Sequence, residues 1–163
     1  MSSQTIGRRS EADWASIVLG LGLGLTIAMF VETTTRDDWN SVYDVITSIS
    51  RIAALVGSYL ALVGLVLVSR ISWVEKSVGH DRMVIWHRKL GPWSLYLIGF
   101  HVLFIILSFA GQDHVALAVE LWRMLGNFEW MWWALAGFIL MVMAGVTSYK
   151  RARAKMSYET WWT

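Results

Sequence analysis

Two histidines, His87 and His101, fall fourteen residues apart in and beside the stretch IWHRKLGPWSLYLIGFHVLF, residues 85–104. An ionisable ring in a hydrocarbon environment is costly and points to a partner or a function. Fourteen residues of helix rise about 21 Å and turn about 40° short of four full turns. On a continuous helix the two rings therefore face nearly the same side, at different depths. A neutral imidazole nitrogen is a good iron ligand. Two such ligands, separated by most of a bilayer core, suit two haems stacked across a membrane, each edge-on between this helix and a neighbour. A single intramembrane histidine can instead be a core residue, hydrogen-bonded by an adjacent helix. The pair at this spacing favours ligands.

Pro92 bears on whether the helix is continuous. Proline removes the bond to the carbonyl of Arg88 and tends to kink a helix, and it also favours a first helical turn. The expectation is a continuous, bent helix carrying both histidines. The alternative starts the span at Pro92 and leaves His87 at the interface with Arg88 and Lys89.

The elements that must position these rings are membrane spans. The 163 residues are 56% hydrophobic and 16% charged, with one proline and eleven tryptophans. That balance belongs to integral membrane proteins, and tryptophan favours membrane–water interfaces. With no cysteine, disulfides, thiolate-ligated clusters and covalently attached c-type haem are excluded. A net charge of +2 gives nucleic-acid binding no electrostatic support.

A bilayer core about 30 Å thick needs roughly 20 apolar residues. Four stretches approach that length, at about 14–31, 45–69, Met83 or Pro92 to Ala110, and 130–148. Residues 115–125 suggest a short amphipathic helix lying on the surface, and Trp130, Trp132 and Trp133 an aromatic belt. Gly20, Gly22 and Gly24 suggest close helix packing. The first span has a signal-like basic start, but it is long for a signal and no A-x-A-like site follows.

If four helices alternate, eleven of the fourteen Lys and Arg fall on one side: Arg8, Arg9, Arg70, Lys76, Arg82, Arg88, Lys89, Lys150, Arg151, Arg153 and Lys155. The other side carries Glu32, Asp37, Asp38, Asp44, Asp113, Glu120 and Glu129. The positive-inside rule then puts both termini in the cytoplasm of a multi-pass cell-membrane protein. Residues 1–13 form a cytoplasmic segment and 14–163 the membrane domain.

The run DRMVIWHRKLGPWSLYLIGFH resembles the third helix of the ferric reductase-like transmembrane family, which includes ferric reductases and NADPH oxidases. The family carries a His-Arg-x-x-Gly stretch with a second histidine about fourteen residues on, here His87, Arg88, Gly91 and His101. Upstream, SRIAALVGSYLALVGLVLVSRISWVEKSVGHDR resembles the second helix and cytoplasmic loop of actinobacterial-type ferredoxin reductase-like members. The likeness covers residues 14–163.

The resemblance implies an all-α integral membrane fold, four transmembrane helices of a six-helix haem-binding bundle. It implies two b-type haems, each held by one histidine here and one from a later helix. The closing MSYETWWT looks like the approach to that helix, so the chain is expected to be an N-terminal portion supplying half of each ligation. His80 and His114 fall in loops and read as solvated. FAD and NAD(P)H are implied only for C-terminal cytoplasmic domains, and the chain has no dinucleotide fingerprint of its own.

Around the histidines, Arg51 is a candidate for an outer-haem propionate or for snorkelling to headgroups. Arg88 is a candidate for an inner propionate, though a cytoplasmic loop position explains it too. Gly91, one turn after His87, either makes room for a porphyrin or eases the Pro92 bend, and Gly99 stands in the same relation to His101 with less support. The expected function is electron transfer from a cytoplasmic flavin domain or separate reductase, through inner His87 and outer His101, to an outer acceptor such as ferric iron or oxygen. Two other readings stay open: a membrane electron-transfer subunit without its own flavin domain, and a non-catalytic four-helix scaffold with structural histidines.

Overall fold

The structure, a computed structural model, describes residues 3–69 and 71–148. Arg70, the basic run from Lys150 to Lys155 and the closing stretch lie outside the described residues, as do the side chains of Arg8 and Arg9. Six helices follow in order: α1 Ser3–Thr33, α2 Val42–Val68, α3 Ser72–Val78, α4 His80–Gln112, α5 Leu117–Asn127 and α6 Met131–Ser148, with a 3-10 turn at Arg36–Trp39. Among the described residues there is no strand. Four helices are long and apolar enough to cross a membrane: α2, α4, α6 and, from Ser16, α1. In hydrocarbon only a helix satisfies its own backbone, which is why these apolar runs take that form.

α4 is unbroken through Pro92. Its 33 residues span about 50 Å, more than a hydrocarbon core of about 30 Å. It starts at Gly79, whose φ of +88° suits a residue without a Cβ, and this turn lets short α3 fold back. Val74 and Val78 of α3 pack with Val63 and Leu67 of α2 and Met83 of α4, and Leu19, Tyr59, Trp86 and Leu90 border the cluster. The sequence reading gave this segment no helix. At the other end α5 lies where the amphipathic pattern places it, between reversals at His114 (φ +54°) and Trp130 (φ +66°).

The largest interface is the antiparallel pairing of α2 with α4. α2 is started by Ser41, whose hydroxyl accepts from Asp44 N–H at 3.1 Å while its own N–H donates to the Asp44 carboxylate at 2.9 Å. Further along, Ser108 Oγ donates to the Tyr43 carbonyl at 2.6 Å and lies 2.8 Å from Thr47 Oγ1. Ser48, Ser50 and Ser108 are fully buried. Hydrophobic burial drives no association between helices in lipid, so small residues that let backbones approach take over. At Gly57 an added Cβ would stand 2.9 Å from Ile98 Cγ1, 3.0 Å from Leu97 Cβ and 3.2 Å from the Ile98 backbone nitrogen. Gly111 similarly lies under the Tyr43 ring.

α1 docks on α2 through Tyr59, whose hydroxyl donates to the Leu19 carbonyl at 2.6 Å. A Cβ at Gly22 would meet the Tyr59 ring at 2.8 Å, whereas Gly20 and Gly24 have nothing within 4 Å. Of the three glycines expected to pack closely, one does. α6 meets α4 where Gly145 faces Leu95, and it buries no residue within the chain.

Interhelical hydrogen bonds in membranes average about 0.6 kcal/mol, whereas overpacking a tight contact costs about 1–3 kcal/mol. Packing should therefore dominate the α2–α4 seam. Gly57→Ala is expected to lower thermal stability in detergent by about 1–3 kcal/mol, more than Ser108→Ala does. Gly20→Ala, facing open space, is expected to cause no loss.

Candidate functional site

Both histidine rings turn to the same neighbour. His101 Nδ1 lies 3.1 Å from the Ser50 carbonyl oxygen, and His87 Nδ1 lies 3.1 Å from that of Gly64. Ser50 and Gly64 are themselves fourteen residues apart, so antiparallel α2 presents an acceptor at each ring. A carbonyl oxygen only accepts, so Nδ1 is the donor in each pair. In a neutral ring the proton on Nδ1 leaves the lone pair on Nε2. This is how metal-binding histidines are commonly oriented: the second nitrogen is held by a carbonyl, which fixes tautomer and ring plane.

The close approach that makes these bonds possible has a visible cause in α2. Ser50, Gly57 and Gly64 recur every seven residues and are buried. On α4, Ser50 and Gly64 face His101 and His87, while Gly57 between them meets Leu97 and Ile98. Gly64 leaves ordinary contact distance, 3.6 Å, between a would-be Cβ and His87 Nδ1. The Ser50 hydroxyl donates to the His101 carbonyl at 3.1 Å and lies 3.0 Å from His101 Nδ1.

Beside His101 is a cavity of 380 Å³ between α4, α5 and α6. Its lining includes Ile98, Ile105, Leu121, Met124, Leu135, Phe138 and Met141, and His101 is its one ionisable side chain. An apolar wall with one oriented polar group is what a flat, mostly apolar prosthetic group requires. Near His87, Gly91 has no atom within 4 Å of a would-be Cβ, and neither has Gly99. Among the described residues no packing demands glycine there, and the space beside each is open. A haem asks each helix for one axial nitrogen, a slot without side chains and apolar walls, and the residues present fit that demand. Among the described residues no group of three or more His, Cys, Asp or Glu could hold a metal ion.

The remaining candidates are placed as follows. Arg51 reaches Asp38 Oδ1 at 3.4 Å and Thr33 Oγ1 at 3.2 Å and lies over the Phe30 ring. It ties α1 and the 3-10 turn to α2, and no α2 residue lines the cavity. Arg88 is exposed on α4. His80 opens α4, exposed, 3.7 Å from Glu75 Oε1, and His114 is exposed in the turn before α5. Glu120 on α5 is buried, with Oε2 free of hydrogen bonds and 3.9 Å from Arg123, which also meets Asp113 at 3.3 Å.

A model of the ferric reductase-like transmembrane component matches residues 53–163, more than half of the chain and inclusive of both histidines. The chain belongs to the ferric reductase-like transmembrane family. Membership implies oxidoreductase activity in general. No curated protein and no solved structure matches the chain.

The residues that orient the rings, Ser50 and Gly64, were missed from sequence. The signal was there: the small residues of α2 repeat at seven and fourteen, the same intervals as the histidines. It becomes readable only once α2 is known to run antiparallel to α4 in the register that sets 50 against 101.

At the turn that anchors Arg51, the Asp38 carboxyl is held below its usual 3.8, first by the Thr35 backbone N–H, then by the Thr35 hydroxyl, with nearby Arg51 contributing less. A depressed carboxyl stabilises the fold fully above the unfolded value and loses that contribution as pH falls through the folded one. The thermal midpoint is expected to fall below pH 3.8, and Asp38→Asn to flatten that part of the profile.

Proposed function

We propose that this chain is the haem-binding membrane portion of an electron-transfer oxidoreductase, in which His87 and His101 each give one axial ligand to a b-type haem. The observation that carries the reading is the matched pair of Nδ1 contacts to α2 carbonyls, which leaves Nε2 of both rings available about 21 Å apart along one helix. Bound haems supply redox-active iron at two depths, so that an electron need not cross the hydrocarbon in one step.

The protein's own part is positional. α2 holds both rings in one tautomer. The apolar lining beside His101 keeps water from that ligand. Gly91 and Gly99 keep the faces next to the rings clear. Arg88, exposed on α4, is a cation available for carboxylate edges near His87, and Arg51, shared with Asp38, is a candidate at the other end. Each haem needs a second axial ligand besides the one given by His87 or His101.

The uneven distribution of Lys and Arg supports a cytoplasmic His87 end, with both termini on that side in the cell membrane. Electrons then enter at His87 from a reduced flavin, on a C-terminal domain or a separate reductase fed by NAD(P)H. They leave at His101 for an outer acceptor such as ferric iron or oxygen.

The test is haem content of the assembled protein. His101→Ala and His87→Ala are each expected to remove roughly half of the bis-histidine haem absorbance, since each ring serves one centre. Gly91→Leu is expected to lower haem occupancy while leaving the thermal stability of the haem-free protein unchanged. A colourless wild-type protein, or haem content indifferent to both histidine substitutions, would contradict the proposal.

A further inference from the structure

The two histidine sites are built on the same plan but are not equal. His87 Nδ1 has a single acceptor, the Gly64 carbonyl at 3.1 Å. His101 Nδ1 has two, the Ser50 carbonyl at 3.1 Å and the Ser50 hydroxyl oxygen at 3.0 Å. That hydroxyl is fully buried and gives its own proton to the His101 carbonyl at 3.1 Å. A hydroxyl that donates is a better acceptor, and in a low-dielectric interior such chains strengthen one another. The difference comes from one side chain, because position 64, which stands to His87 as 50 stands to His101, is glycine.

We propose that Ser50 is a positioning residue that makes the redox centre at His101 harder to reduce than it would be on the Gly64 plan. The inference rests on the haem reading above. Drawing the Nδ1 proton towards two oxygens leaves the ring richer in electrons at Nε2. A metal ligated there is then stabilised in its oxidised state, and its reduced form becomes the stronger reductant. Ser50 touches neither metal nor acceptor in this account and acts only through His101.

The plan makes the effect both removable and transferable. Ser50→Ala keeps the carbonyl contact and gives His101 the single acceptor that His87 has. Gly64→Ser offers His87 the second acceptor, and there is room, since the added Cβ would stand 3.6 Å from Nδ1 in ordinary contact.

The experiment is a potentiometric titration of the haem-loaded, assembled protein, with the two centres assigned from the spectra of His87→Ala and His101→Ala. Ser50→Ala is expected to raise the reduced-to-oxidised ratio of the His101 centre about tenfold at a fixed ambient potential, an upward shift of about 59 mV for a one-electron couple. The His87 centre is expected to stay in place. Gly64→Ser is expected to move the His87 centre in the opposite direction and leave the other. If Ser50→Ala does not fold, the shift in Gly64→Ser decides by itself. Variants that bind both haems with unshifted potentials overturn the role of Ser50 and leave the haem reading standing. A wild-type protein that takes up no haem overturns both.

Discussion

The arrangement of this protein depends on how closely α2 can approach α4. Two carbonyl oxygens of α2 must come within hydrogen-bonding distance of two rings on α4, which is possible only where the intervening side chains are small. Ser50, Gly57 and Gly64 supply that track. At Gly57 the backbone of α4 comes within 3.2 Å of a would-be Cβ. Because lipid gives helices no hydrophobic reason to associate, the stripe that permits close packing also permits the orientation of the histidines. Fold and candidate site share one set of residues.

This sharing explains why the pair of rings is held rather than merely present. A histidine with both nitrogens free samples ring orientations and tautomers. One bonded through Nδ1 to a helix carbonyl keeps Nε2 in a fixed direction, so the ring is pre-organised by the scaffold. The cavity beside His101 sits against the more loosely packed part of the fold, where α6 buries nothing within the chain. The tight pair α2–α4 carries the two histidines, and the looser helices wall the space next to His101.

Much of this was legible in the residues. Apolar length alone located all four spans, because hydrocarbon admits few alternatives to a helix. The spacing of His87 and His101 put both on one side of α4, and the helix indeed runs through Pro92. Four features were not legible, each for a physical reason. Helix α3 is only seven residues long and owes its place to packing on Val63, Leu67 and Met83 rather than to its own periodicity. Gly20, Gly22 and Gly24 are alike as a pattern, and only the position of the Tyr59 ring separates one from the others. The partners of Arg51 lie at the end of α1 and in the turn after it, which become neighbours of α2 only when the chain reverses. The oriented tautomer of the histidines belongs to the same class, since it follows from a register between helices that no local pattern encodes.

The most direct measurement of the central claim is the nitrogen-15 NMR spectrum of histidine-labelled, haem-free protein in lipid or detergent, with His87 and His101 assigned by single substitution. The expected result is a proton on Nδ1 and a bare Nε2 in both rings at neutral pH. A proton found on Nε2 of either ring, or rapid exchange between the two tautomers, would contradict the account, because the nitrogen meant for the metal would then be blocked or unheld.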